Sequence, residues 1–142
     1  MFKTATYCPA MTLPPLARIL YVEDDPGIQA VARIALERKG GFTVAVCDGG
    51  QKAIDVAPGF APDLILLDVM MPGMDGIVTC KALRAIPQTA ATPVVFVTAK
   101  VQPYEIEMYQ ELGAVDVIRK PFDPMTLSEA VADIWARYHA ID

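Results

Sequence analysis

Four apolar runs in this chain each stop at a charged or reactive residue, and that repetition limits the folds open to it. Asp63-Leu64-Ile65-Leu66-Leu67 ends in Asp68 and leads at once into Met70-Met71-Pro72-Gly73-Met74-Asp75-Gly76. Arg18-Ile19-Leu20-Tyr21-Val22 ends in Glu23-Asp24-Asp25, a third run ends in Thr98, and a fourth in Lys120-Pro121. Runs that are apolar throughout, without polar alternation, suit parallel strands covered on both faces by helices. Four such strands ending in polar residues place one polar site at one edge of a parallel sheet.

Strands are predicted at about 17–22, 42–46, 63–67, 93–97 and 115–118, with helical stretches between them. Asp25-Pro26 supplies an N-cap and a proline at the first helical position, followed by a stripe of Ile28, Val31, Ala32, Ala35 and Leu36 that Gly40-Gly41 ends. Asp75 caps a helix from Gly76 to about Ile86, which Pro87 terminates. Asp123-Pro124 opens the last helix, with Leu127, Val131, Ile134 and Tyr138 on one face. Alternating strands and helices with short connections predict a doubly wound α/β sandwich whose ligand site lies beyond the carboxyl ends of the strands. That is where the acids are.

A chain of 142 residues, 54% apolar and 20% charged, is a globular domain able to bury one core unaided. Its net charge of −5 and scattered basic residues argue against nucleic acid as a direct ligand. No apolar run approaches the roughly 18 residues a membrane helix needs, and the N-terminus has no secretory h-region. Cys8, Cys47 and Cys80 form no metal or redox motif and fit bystander thiols in a reducing cytoplasm. His139 reads as a solvated residue near a helix end. Residues 1–16, with Pro9, Pro14 and Pro15, read as an extended leader, with Met1 and Met11 both open as the start, ahead of a domain over 17–142.

Three acids at one mouth repel: two unit charges about 4 Å apart cost roughly 4 kcal/mol at an effective dielectric near 20. Such a cluster holds a proton or a cation. All-oxygen donors suit Mg²⁺, and zinc is disfavoured without histidine or cysteine nearby. Beside that ion, Asp68 is a candidate nucleophile toward a phosphoryl group, with Lys120 as a point charge and Thr98 as a hydroxyl donor. Asp25 is assigned to capping alone.

The stretches Ile19-Leu20-Tyr21-Val22-Glu23-Asp24-Asp25, Asp68-Val69-Met70-Met71-Pro72-Gly73-Met74-Asp75-Gly76, Val97-Thr98-Ala99 and Arg119-Lys120-Pro121-Phe122 resemble the receiver (phosphoacceptor) domain of two-component response regulators. The resemblance runs from about residue 17 to 139. It implies a flavodoxin-like five-stranded sheet of order 2-1-3-4-5. It also implies that Asp68 takes a phosphoryl group from a histidine kinase or phosphotransfer protein. Mg²⁺ would be held by Asp24, Asp68 and the Met70 carbonyl, with Glu23 acting through water. Thr98, Ala99 and Lys120 would surround the phosphoryl group, and Lys120-Pro121 would be cis.

This sequence departs from the family pattern in two places. The aromatic residue expected three positions before the lysine is Val117, which cannot swing a ring, so the usual coupling of that ring to the threonine is in doubt. Tyr104 and Tyr109 are expected to be surface anchors rather than its replacements. The positions two after Asp68 and two after Thr98, Met70 and Lys100, carry no group that would orient an attacking water, so self-dephosphorylation is expected to be slow. After Pro121 only one helix is foreseen, so a stand-alone regulator without an output domain is expected, working through protein contacts, with homodimerisation open. Two rivals are a pseudo-receiver that works without phosphorylation and an aspartate-nucleophile phosphatase; the phosphatase lacks its second aspartate, because Met70 stands there.

Overall fold

Tyr21, Leu66 and Val97 face one side of the sheet, and Leu20, Leu67 and Phe96 the other, so both faces of the central strands are buried. The computed structural model describes residues 14–140. Its elements are β1 (Arg18–Val22), α1 (Pro26–Ile34), β2 (Thr43–Cys47), α2 (Gly50–Phe60), β3 (Leu64–Asp68), α3 (Gly76–Arg84), β4 (Val94–Thr98), α4 (Pro103–Glu111), β5 (Asp116–Arg119) and α5 (Leu127–Ala140). All pairings are parallel, in the order β2-β1-β3-β4-β5. The sheet is doubly wound, as expected. Residues of α1 and α5 share one core with the Tyr21 side, and residues of α2, α3 and α4 share the other. This two-sided cover is why β3 and β4 read as unbroken apolar runs; each buried leucine or valine contributes about 1.5–3 kcal/mol.

The register builds the mouth. Val22 lies opposite Leu67, so Glu23 comes level with Asp68. Asp68 lies opposite Val97, and Thr98 opposite Arg119, so Thr98 and then Lys120 follow at the same edge. The Lys120–Pro121 peptide is cis.

Several local expectations shift. Asp25 caps α1 through its Oδ1, which accepts from the N–H groups of Gly27 and Ile28 at 2.8 and 3.1 Å. The helix then passes through a wider π-helical turn, Ala35–Lys39, before Gly41 takes a positive φ. Val31, placed in the inward stripe from sequence, is 43% exposed, because it fronts an open cleft opposite Pro121 and Phe122 that no element among the described residues covers. Helix α3 stops at Arg84 rather than near Ile86. The Thr89 hydroxyl donates to the Leu83 carbonyl at 2.6 Å, and Ile86 N–H also turns back to Leu83. The last helix begins at Leu127, not at Asp123-Pro124: Asp123 instead closes a turn, accepting from Met125 N–H at 2.8 Å. Tyr138 lies at the margin of that helix, 37% exposed.

His139 is not a freely solvated residue. Its ring meets Trp135 edge-on at 4.2 Å, and its Nε2 is buried without a hydrogen-bond partner among the described residues. Residues 1–13, with Cys8, lie outside the described residues; of the predicted leader, Leu16 packs on the core and the Pro14 carbonyl accepts from Trp135 Nε1 at 2.8 Å. Cys47 and Cys80 are buried free thiols. No helix among the described residues is long and apolar enough to cross a membrane.

Candidate functional site

Glu23, Asp24 and Asp68 bring one carboxylate oxygen each to within 4.8 Å of one another. The strands force this: Asp68 is the last residue of β3, and Glu23 and Asp24 follow β1 immediately. Glu23 and Asp68 are buried, and Asp24 is half-buried. Lys120 reaches both buried acids, its Nζ lying 2.8 Å from Glu23 Oε1 and 3.2 Å from Asp68 Oδ1.

The two acids are held differently. Both oxygens of Glu23 are engaged: Oε1 also accepts from the Tyr21 hydroxyl at 3.1 Å, and Oε2 accepts from Asp25 N–H at 3.1 Å. Gln29 Nε2 donates to the Glu23 carbonyl at 2.6 Å. Asp68 Oδ1 accepts from Met70 N–H at 3.2 Å as well as from Lys120. Among the described residues, the contacts of Asp68 engage that oxygen alone. Burial and the Glu23 charge push Asp68 up from 3.8 to about 6, while Lys120 and the Met70 N–H pull against them. Burial opposes the charge on Lys120, but hydrogen bonding and attraction from Glu23 and Asp68 outweigh it and raise its pKa. Burial, with Glu23 next, raises the Tyr21 phenol far above its ordinary value, so it remains a donor.

Thr98 is buried at the end of β4, and its Oγ1 accepts from Lys100 N–H at 3.0 Å. Ala99 is exposed and lines the cleft of about 550 Å³ that Asp25, Ile28, Val31, Lys120, Pro121 and Phe122 share. The Met70 side chain points outward, 58% exposed. Val117 lies half-buried on β5, opposite Phe96. Glycine is required twice near Asp68. Gly73 has φ +73, and a Cβ on Gly76 would strike the Asp68 carbonyl oxygen and come within 2.8 Å of Val69 Cα.

Two residues escaped the sequence reading. Tyr21 stands two residues before Glu23, so strand alternation puts both on one face; that spacing was the available signal. Tyr109, expected at the surface, is wholly buried: its ring packs on Phe96 at 5.0 Å and its hydroxyl donates to the Lys100 carbonyl at 2.9 Å.

A parallel 2-1-3-4-5 sheet with acids, a threonine and a lysine at its carboxyl edge is the architecture of a bacterial two-component signalling domain. The chain belongs to the response regulator receiver domain family, whose model matches residues 19–132. The DNA-binding response regulator MtrA of Mycolicibacterium smegmatis is 42% identical over 120 residues, covering 84% of this chain and 50% of that protein. The alkaline phosphatase synthesis transcriptional regulatory protein PhoP of Bacillus subtilis is 38% identical over 120 residues, covering 84% of this chain and 49% of that protein. The chain thus spans about half the length of the curated relatives it matches. Among solved structures, the chemotaxis protein CheY4 of Vibrio cholerae superposes with a TM-score of 0.78 at 29% identity, covering 84% of this chain and 99% of that one. A putative response regulator of Chloroflexus aurantiacus gives a TM-score of 0.76 at 32% identity, covering 87% and 100% respectively.

Proposed function

We propose that this receiver domain accepts a phosphoryl group on Asp68 from a phosphohistidine of a kinase or phosphotransfer protein. The observation that carries this reading is the convergence on Asp68 of Lys120, at 3.2 Å, and of two further acids. An unengaged carboxylate oxygen of Asp68 attacks phosphorus, the bond to the histidine nitrogen breaks, and the imidazole leaves with the electron pair. Because Asp68 titrates at about 6, it is mostly ionised, and so nucleophilic, above that pH.

The site fits Mg²⁺ by its donors, since every candidate ligand is an oxygen and the acid cluster leaves net negative charge beside Lys120. Asp24, Asp68 and the Met70 carbonyl would hold the ion directly, with Glu23 acting through water because its oxygens already serve Tyr21, Lys120 and Asp25. When bound, the ion supplies charge neutralisation for the transferring group. Lys120 contributes a second positive charge at the mouth, and Thr98 offers its hydroxyl hydrogen to a phosphoryl oxygen. The apolar cleft that Lys120 lines offers the donor protein a contact surface at the same edge of the sheet.

Output runs through protein contacts in the cytoplasm, with a net charge of −5 suited to protein partners more than to phosphate backbones. Incubation with Mg²⁺ and acetyl phosphate, followed by intact mass, tests the chemistry. A phosphoryl adduct on the wild type that is absent from Asp68→Asn is expected. An adduct that survives in Asp68→Asn, or none on the wild type, would overturn the assignment.

A further inference from the structure

We infer that Tyr109 is a positioning residue for the phosphoryl-reading hydroxyl of Thr98, acting through the peptide of Lys100. The inference rests on the proposed role of Asp68 and assigns this chain a substitute for the aromatic side chain that Val117 lacks.

The Lys100 residue is gripped at both ends. Its N–H donates to Thr98 Oγ1 at 3.0 Å, and its carbonyl accepts from the Tyr109 hydroxyl at 2.9 Å. The two bonds connect the end of β4 to α4 across one residue. Oγ1 accepts from Lys100 and keeps its own hydroxyl hydrogen as a donor. The placement of Tyr109 is equally specific. Thr98 follows Phe96 by two residues and shares its face of the sheet, and Phe96 lies opposite Val117. Tyr109 packs at a tilt on Phe96, and Val117 packs against the same cluster and lines one cavity with Tyr109.

The setting keeps that hydroxyl a donor. Burial raises the phenol pKa, with the Thr98 side chain working against the rise through hydrogen bonding. A buried aromatic needing only to fill space would not require a hydroxyl on a loop carbonyl, and phenylalanine would serve equally. Tyr104, the other candidate, is 70% exposed and has no comparable contact among the described residues.

Tyr109→Phe keeps the ring and removes the donor. Calorimetric titration with beryllofluoride in saturating Mg²⁺ should show affinity reduced about three- to tenfold, the worth of one neutral hydrogen bond. Affinity for Mg²⁺ alone should be unchanged. In a Thr98→Ala background the same substitution should add little further loss, because both changes remove one chain of bonds. Exchange of the Lys100 amide, followed by NMR without Mg²⁺ or beryllofluoride, should quicken in Tyr109→Phe. Wild-type affinity in Tyr109→Phe, a full additional loss on Thr98→Ala, an equal loss of Mg²⁺ affinity, or unaltered Lys100 exchange would each overturn the inference. Failure of the wild type to bind beryllofluoride at all would remove the Asp68 reading as well, before any variant is compared.

Discussion

Replacing Lys120 with methionine keeps the length of the side chain and removes the one charge that both buried acids share. Lys120 Nζ lies 2.8 Å from Glu23 Oε1 and 3.2 Å from Asp68 Oδ1, and those residues are 1% and 2% exposed. Breaking a buried pair on one side costs about 3–5 kcal/mol, since the remaining charges are left uncompensated. Part of that is recovered by protonation. Asp68 already sits at about 6 with Lys120 among the groups holding it down, so the variant moves it higher and carries a proton near neutrality. A net loss of about 2–4 kcal/mol at about pH 7.5 is expected, read from urea unfolding.

The pH dependence fixes the sign. A carboxyl whose folded value is raised contributes stability that is complete below its unfolded value of 3.8 and is lost as pH rises through about 6. In Lys120→Met the upper edge of that window moves up while the lower edge stays at 3.8, so the gap between variant and wild type must narrow as pH falls toward about 5. Mg²⁺ adds a second arm. With no ammonium competing for the acids, the ion should bind the variant more tightly, and each tenfold gain adds about 1.4 kcal/mol of stability at saturation. A stability loss that is flat with pH and equally large with and without Mg²⁺ would refute the electrostatic account of this site.

Gly76→Ala should cost at least about 2–3 kcal/mol, because both obstructing groups are backbone atoms of Asp68 and Val69 that cannot rotate away; thermal unfolding checks it. Met70→Asn should hasten loss of the phosphoryl group by about tenfold, the effect of some 1.4 kcal/mol of water positioning; decay slower than that of the wild type would contradict the role given to this position. Trp135→Phe should cost about 1 kcal/mol and admit protease to the segment before β1, since the indole N–H is what ties the Pro14 carbonyl to α5.

The sequence alone determined the order of elements, the parallel sheet and the edge at which the chemistry sits. The reason is local: a strand buried on both faces must be apolar along its whole length, so Leu64–Leu67 and Val94–Val97 announce themselves, and the polar residue that ends each run marks the carboxyl edge. The caps Asp25 and Asp75 were equally visible, because a side-chain oxygen two or three residues from the N–H groups it satisfies is a short-range bond. Three-dimensional packing decided the rest. That Lys120 bridges Glu23 and Asp68, that Tyr21 occupies Glu23, and that Tyr109 is buried on Phe96 depend on side chains brought together from separate strands and a helix. Helix α4 alternates too weakly to reveal its inward face, so Tyr109 read as a surface residue until β4 and β5 were placed beneath it. Spacing along the chain carries no record of such meetings, since each is set by the register of neighbouring strands and the volume left between helix and sheet.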